Sequence, residues 1–350
     1  MAKKKKNNKK VENSDSLAVI KKAIRKKYGE VITRLSDHED MIIPTVSTGS
    51  ISLDVALGRG GMAFGRLYEI LGPNSGGKST LAASVVKQAQ IRDFNCCYID
   101  AEHAVDPLLF KGYGVNIEKL DLVQGFNGEE NLDILESLVS SGAYKVAVVD
   151  SVSSLIPGVE AESEISDHHM APLARLMSKA TRRLTPIANR AGCLIIFINQ
   201  LRMKLTGYGN PETTTGGEAL SFYTTGRISV RGPEAKSRRI PDPVSGEIIG
   251  HTTIFEIVKN KLAPPFKKAE VNLIYGKGYD THWEILKLAT DFGIIDKAGN
   301  WYKYNDSNFA NGEPNAVTYL KSEDNIEMYN EIRNIVINML GLKEIYEQNS

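Results

Sequence analysis

The residues best equipped for chemistry stand together at Gly72, Pro73, Asn74, Ser75, Gly76, Gly77, Lys78, Ser79 and Thr80. Their spacing is G-x-x-x-x-G-K-[ST], the pattern of a loop that cradles phosphate. Glycines let successive backbone N–H groups converge on phosphate oxygens, and a helix start behind them adds positive potential. Lys78 can then neutralise β- and γ-phosphates, and the Ser79 hydroxyl can ligate Mg²⁺. A loop of this kind needs a carboxylate on the metal side, and the apolar run KVAVVD ends on Asp150. An aspartate closing a buried strand needs a partner, which Mg²⁺ supplies directly or through water. Hydrolysis also needs a group that orients water. The segment YIDAEHAVDP offers Asp100, Glu102 and Asp106, of which Glu102 is the chosen base. Gln200 ends the strand-like run CLIIFINQ, where a neutral amide could touch a γ-phosphate and report its loss. Asn260-Lys261-Leu262-Ala263 lacks the aspartate of a guanine-reading N-K-x-D signal, which favours ATP over GTP.

Positioning these groups requires strands that end at one edge. RLYEIL, CCYID, KVAVVD and CLIIFIN are short, apolar and rich in β-branched residues, and helical stretches at 79–92, 129–140 and 170–190 separate them. Such alternation predicts an α/β fold with a mostly parallel central sheet covered on both faces. The later runs RISVR, TIFEIVK and EVNLIY come closer together, with a turn at Pro241, Asp242, Pro243 and Gly246, so that edge should be antiparallel. Beyond about residue 277 the pattern becomes a small α+β C-terminal domain, with Trp283, Trp301, Tyr302 and Tyr304 as expected core anchors. Before the core, Leu17, Ile20, Ile24 and Tyr28 recur at helical spacing ahead of Gly29. The expected divisions are a basic disordered arm at 1–13, an N-terminal helix and linker at 14–40, a nucleotide-binding core at 41–276, the C-terminal domain at 277–341 and a tail at 342–350.

The chain has 350 residues, enough for about two domains. Its 42% hydrophobic and 24% charged fractions are those of a globular protein, and no apolar run approaches the roughly 18–20 residues of a bilayer span. Membrane association is therefore not expected. Three cysteines, Cys96, Cys97 and Cys193, lie in apolar runs and read as buried thiols of a reducing compartment. Net charge is +1, but residues 1–30 carry ten Lys and one Arg against three acids, +8, leaving −7 for the rest. Bulk charge does not carry nucleic-acid binding here, so any such contact must be local.

Several stretches in order, STGSISLDVALG, GPNSGGKST, DAEHAVDP, VVDSVSSL, ISDHHMAPLARLMS, FINQLRMK, GNPETTTGGEAL and VKNKLAPPFK, resemble the bacterial-type RecA recombinases from about Ser14 to Gly341. The resemblance implies a RecA-like ATPase core. It also implies a DNA-dependent ATPase that forms a head-to-tail helical homo-oligomer on single-stranded DNA and pairs it with homologous double-stranded DNA in recombination and repair. It implies ATP and Mg²⁺ as cofactors and a cytoplasmic, nucleoid-associated location, or the host cytoplasm for a phage-encoded member. By position, Gly72 to Thr80 hold the phosphates, Glu102 is the base, Asp150 the metal-side acid and Gln200 the γ-phosphate sensor. Asp106 and Tyr275 would contact the adenine, and Lys259 and Lys261 the ATP of the adjacent subunit. Two lysines at i and i+2 of a strand share a face, and supplied in trans they would stabilise charge as an arginine finger does.

The same resemblance marks two DNA loops. Arg202 to Gly217 is a sixteen-residue stretch without helix or strand periodicity, beginning just past Gln200. It would offer Arg202, Lys204, Asn210, Thr213, Thr214, Gly216 and Gly217 to a DNA backbone, with Tyr208 stacking or wedging between bases. Such donors hold phosphates without reading sequence. The acidic segment Glu162 to Met170 contributes Ser166, His169 and Met170, followed by Arg175 and Arg182; His168-His169 is not read as a metal pair. Three departures stand out. Leu109 replaces the usual adenine-side aromatic, the long loop is one residue short, and no strongly acidic tail closes the chain. A ring-forming helicase on a related core and a non-catalytic DNA-coating protein are the alternatives; GNPETTTGG argues against the first, and intact Lys78, Ser79, Glu102 and Asp150 against the second.

Overall fold

The computed structural model describes residues 16–38, 43–161, 171–203, 212–232, 238–242 and 245–347. Two compact units divide the chain, Met1–Ile43 and Pro44–Ser350. In the first, helix α1 spans 16–28. Gly29 closes it in the left-handed region (φ 79°), and its N–H donates to the Arg25 carbonyl. Leu17, Ile20 and Tyr28 of its apolar stripe are more than half exposed.

In the second unit, strands β1 (Thr45–Val46) and β2 (Met62–Ala63) flank helix α2 (Ile51–Leu57), which Ser50 caps by accepting the Leu53 N–H. Strands and helices then alternate as the apolar runs require: β3 (Leu67–Gly72), α3 (Lys78–Ile91), β4 (Asn95–Asp100), α4 (Pro107–Gly112), β5 (Leu120–Val123), α5 (Gly128–Ser140) and β6 (Tyr144–Asp150). After α6 (Gly158–Ala161) come α7 (Pro172–Ala191), β7 (Leu194–Met203), β8 (Glu212–Thr214), α8 (Ala219–Tyr223) and β9 (Gly226–Arg231). The edge strands are β10 (Arg239–Pro241), β11 (Ile248–Asn260), β12 (Lys268–Ile274) and β13 (Gly278–Tyr279).

Strand order in the main sheet is β13-β12-β11-β9-β3-β7-β6-β4-β5, with β10 on β11 and β8 on β7. The six strands from β9 to β5 are parallel, and β10 to β13 are antiparallel, as the spacing of the runs predicts. The central strands are apolar on both faces because helices cover both. Cys97, Ile99, Val149, Ile195 and Phe197 pack with Leu135 of α5 and Met177 and Leu184 of α7. All three cysteines are buried free thiols. The register brings the chemistry to one edge: Gly72 is paired with Gln200, and Asp100 with Asp150.

The C-terminal part consists of α9 (Thr281–Asp291), the antiparallel strands β14 (Asp296–Ala298), β15 (Trp301–Tyr304) and β16 (Ser307–Asn311), then α10 (Glu313–Lys321), α11 (Ile326–Met339) and α12 (Lys343–Glu347). Its core includes Tyr302, Leu320, Ile332 and Ile51 of α2. Two expectations fail here. Trp301 is 45% exposed, because it stands on the outer face of β15 while Tyr302 takes the inner one. Residues 343–347 are helix rather than tail, held by buried Leu342 and Tyr346. The Tyr346 hydroxyl donates to Asp54 Oδ2 of α2 (2.7 Å), and the same carboxylate accepts from Ser47 and Thr48. Burial raises the Asp54 carboxyl to about 7 despite those hydrogen bonds. Glu284, also fully buried, accepts from Ser50 Oγ and from the N–H groups of Ile51 and Ser52, tying α9 to the first turn of α2.

Candidate functional site

The phosphate loop runs from the end of β3 into α3. Gly77 stands at φ 102°, and a Cβ there would lie 2.8 Å from the Leu273 side chain, so both conformation and space call for glycine. Ser79 donates to Asp150 Oδ2 (2.7 Å), joining the two groups expected on the metal side. A carboxylate and a hydroxyl are hard oxygen donors, the set Mg²⁺ prefers. The Tyr98 hydroxyl donates to the same Oδ2 (2.6 Å) from the neighbouring strand β4. Burial raises the Asp150 carboxyl, while the Tyr98 and Ser79 hydrogen bonds hold it down. Lys78 Nζ donates to the Pro73 carbonyl (2.7 Å). Burial lowers its ammonium, against the attraction of Asp150 and Glu102.

Glu102 follows β4 and is exposed, so it can meet water. Its Oε1 accepts from Ser151 Oγ (2.6 Å) and from Gln200 Nε2 at the longer 3.5 Å. The base and the sensor read from sequence therefore meet at one carboxylate. Asp100 is a different kind of acid. It is buried and accepts from the Ala104 and Val105 N–H groups and from Gln124, so it shapes the loop that presents Glu102. Asp106 caps α4, its Oδ1 accepting from the Leu108 and Leu109 N–H groups.

Beside the loop opens a cleft of about 560 Å³, lined by Ser75, Gly77, Lys78, Ser79, Thr80, Leu109, Tyr113, His251, Leu273 and Tyr275. Tyr275 is placed there as expected. Asp106 is not among the lining residues. Sequence reasoning missed Tyr113 and His251, although the four-residue step from Leu109 to Tyr113, one helical turn, was a visible signal for the first.

A second network leaves from Gln200. Its N–H donates to Asn199 Oδ1, and Asn199 Nδ2 donates to the Thr215 carbonyl (2.9 Å) and to Glu69 Oε1 (2.9 Å). Glu69, fully buried in β3, is paired with Arg227 of β9. The root of the long loop is thus fastened to the strand that carries the phosphate loop. That loop is not without structure at its ends: β7 continues to Met203 and pairs antiparallel with β8, Leu201 opposite Thr214 and Arg202 opposite Thr213. Strand pairing satisfies backbone groups that a free loop would leave to water. Gly216 and Gly217 then turn the chain against Val152, Met177 and Ala174. Gly217 at Ala174 brings the end of this loop to the start of α7, where Arg175 is exposed. Arg175, Lys179 and Arg182, all exposed, recur at helical spacing on α7. Ser166, His169, Met170, Lys204, Tyr208 and Asn210 lie outside the described residues.

Lys259 and Lys261 share a face, as their spacing requires, for both ammonium groups donate to the Phe222 carbonyl at the end of α8. Lys259 also donates to the Ser221 carbonyl. Burial and the neighbouring Lys261 and Arg227 lower Lys259 to about 8.

Residues 15–280 match the family model of the RecA N-terminal domain, and residues 283–341 that of the RecA C-terminal domain. A curated protein RecA from Teredinibacter turnerae is 45% identical over 306 residues, 87% of each chain. The chain belongs to the RecA family. Its activity is that of a DNA-dependent ATPase and recombinase, which forms filaments on single-stranded DNA and exchanges strands in recombination and repair. The family works with ATP and Mg²⁺.

Proposed function

We propose that ATP binds at the seam between consecutive protomers, with one subunit supplying the phosphate loop and its neighbour Lys259 and Lys261. The observation that carries this reading is the unequal state of the two groups. Lys78, Ser79, Asp150, Glu102 and Gln200 converge within one chain. Lys259 and Lys261 instead share a face and, among the described residues, donate to carbonyls of their own α8. A lysine whose charge is disfavoured to about 8 stands to gain from an incoming phosphate, whose negative charge would stabilise the ammonium form. A head-to-tail contact of this kind does not close and builds a helical filament.

In this reading the backbone of Gly72 to Thr80 binds the triphosphate and Lys78 turns from the Pro73 carbonyl to the phosphates. Ser79 and Asp150 would hold Mg²⁺, which supplies charge neutralisation at the phosphates when bound. Glu102, steadied by Ser151, takes the proton of the attacking water; Tyr275 stands on the adenine side, and Asp106, outside the cleft lining, would reach the adenine only from the cap of α4. Gln200 senses the terminal phosphate and passes its state through Asn199 to Thr215 and the loop root. The loop residues Arg202, Lys204, Tyr208, Asn210, Thr213, Thr214, Gly216 and Gly217, with Ser166, His169, Met170, Arg175 and Arg182, would grip single-stranded DNA and admit a homologous duplex. The domain limits 41–276 and 277–341 go with this assignment, as does a cytoplasmic place at the nucleoid.

The test mixes two inactive proteins, Glu102→Gln and the double variant Lys259→Ala with Lys261→Ala, on single-stranded DNA. If the site is shared, up to about a quarter of the interfaces in a mixed filament join an intact loop to intact lysines, and phosphate release returns. A mixture as silent as its components would overturn the reading.

A further inference from the structure

The cleft beside the phosphate loop has lost the aromatic expected at position 109, and the neighbouring side chains show where its role has gone. Phe110 is 4% exposed and packs edge-on against Tyr98 (centroids 5.2 Å apart), so it faces the core and not the cleft. Tyr113 does line the cleft, one helical turn beyond Leu109. Its hydroxyl accepts from Thr80 Oγ1 (3.4 Å), which anchors the ring to the residue that follows Ser79. Tyr275, half exposed, lines the same cleft, and its hydroxyl is hydrogen-bonded to His251 Nδ1 (3.1 Å). The segments carrying these tyrosines abut. A Cβ on Gly112 would fall 2.3 Å from the Gly276 carbonyl, and one on Gly278 would lie 3.8 Å from the Tyr113 ring. Two phenol rings thus border one opening of the size that takes a nucleoside, each fixed through its hydroxyl and each with ring surface left over.

We infer that Tyr113 is the base-contacting aromatic of this protein: with Tyr275 it forms the platform for the adenine, while Leu109 supplies only an apolar edge. The inference rests on reading the cleft as the nucleotide site and adds to it the residue that favours a base over bare phosphate. Stacking on an aromatic ring needs only the ring's face, so Tyr113→Phe should preserve it, whereas Tyr113→Ala should remove about tenfold in affinity. Moving the ring from 109 to 113 also places it at the C-terminal end of α4, where Gly112 lets the helix close onto the Gly276 turn.

The experiment measures equilibrium binding of ATP and of inorganic tripolyphosphate, each with Mg²⁺, to the full chain. Tyr113→Ala is expected to weaken ATP about tenfold and to leave tripolyphosphate unchanged. Tyr113→Phe should bind both as the unsubstituted protein does, and Leu109→Ala should lose less than threefold for ATP. In turnover, the Tyr113→Ala loss should fall on KM and spare kcat. A larger loss in Leu109→Ala than in Tyr113→Ala would overturn the inference. So would an equal loss for both ligands in Tyr113→Ala, the mark of a merely structural ring. Tripolyphosphate that fails to bind the unsubstituted protein, or that binds Lys78→Ala equally well, would bring down the nucleotide reading itself and the platform with it, a pattern separable from the first two.

Discussion

The phosphate loop and the Lys259–Lys261 face differ in how far one chain completes them. Around the loop the acids are already engaged by side chains of the same chain: Ser79 and Tyr98 on Asp150, Ser151 on Glu102. The lysine face offers two cations to two backbone carbonyls at a helix end, with one of those cations pushed down to about 8. Groups that must bind the same ligand in every state can be preorganised by their own fold. Groups meant to act only on assembly must be left with weaker partners that a phosphate can outbid. On the proposed reading, the nucleotide is held by one face and acted on by a second that a neighbouring copy brings to it.

Four experiments break or sharpen that contrast. The largest effect should come from Lys259→Ala combined with Lys261→Ala, which is expected to slow DNA-dependent phosphate release by about a thousandfold or more while ATP binding stays within a fewfold. A parallel loss of binding would erase the distinction between the faces. Glu102→Gln should cost on the order of a hundredfold in kcat, read as phosphate release, with KM for ATP little changed. The pH profile comes next. Lys259 in the free protein titrates below its ordinary value, so its charge is present below about 8 and is lost as pH rises through it. The quantity kcat/KM for ATP should therefore fall about tenfold per pH unit above 8, and Lys259→Arg should stay active to higher pH. A profile flat to pH 10 would mean that this lysine does not act as a cation. The smallest effect belongs to the preorganised side. Tyr98→Phe removes one donor from the buried Asp150 and should lower stability by about 1.5 kcal/mol in denaturant titration. No change would show that the carboxylate does not depend on its second donor.

Much of this was legible before any coordinates. That the phosphate loop, Asp150, Glu102 and Gln200 stand at one edge could be read because each lies at or just past the end of an apolar run, and parallel strands must end at a common edge. The antiparallel edge was legible from run spacing. What stayed hidden depends on contacts between distant segments. Nothing in the spacing of Tyr98 discloses that its hydroxyl meets Asp150, 52 residues away. The Glu69–Asn199–Thr215 network is equally silent, since each residue alone reads as an ordinary strand polar group. Trp301 misled because an aromatic in a three-stranded sheet can face either side, and only the register decides. The closing helix α12 escaped notice because five residues carry too short a period to detect.

The ties between α2 and the far end of the chain bear on how the protein is made. Asp54 and Glu284 are both sealed from water, and the carboxylate of the first takes a donor from Tyr346 while that of the second serves the opening turn of α2. On a ribosome, α2 emerges almost three hundred residues before Tyr346 does. Until Glu284 leaves the exit tunnel the first turn of α2 lacks its acceptor, and until Tyr346 follows, Asp54 lacks its phenol, so the nascent core carries an unfinished polar pocket through most of its synthesis.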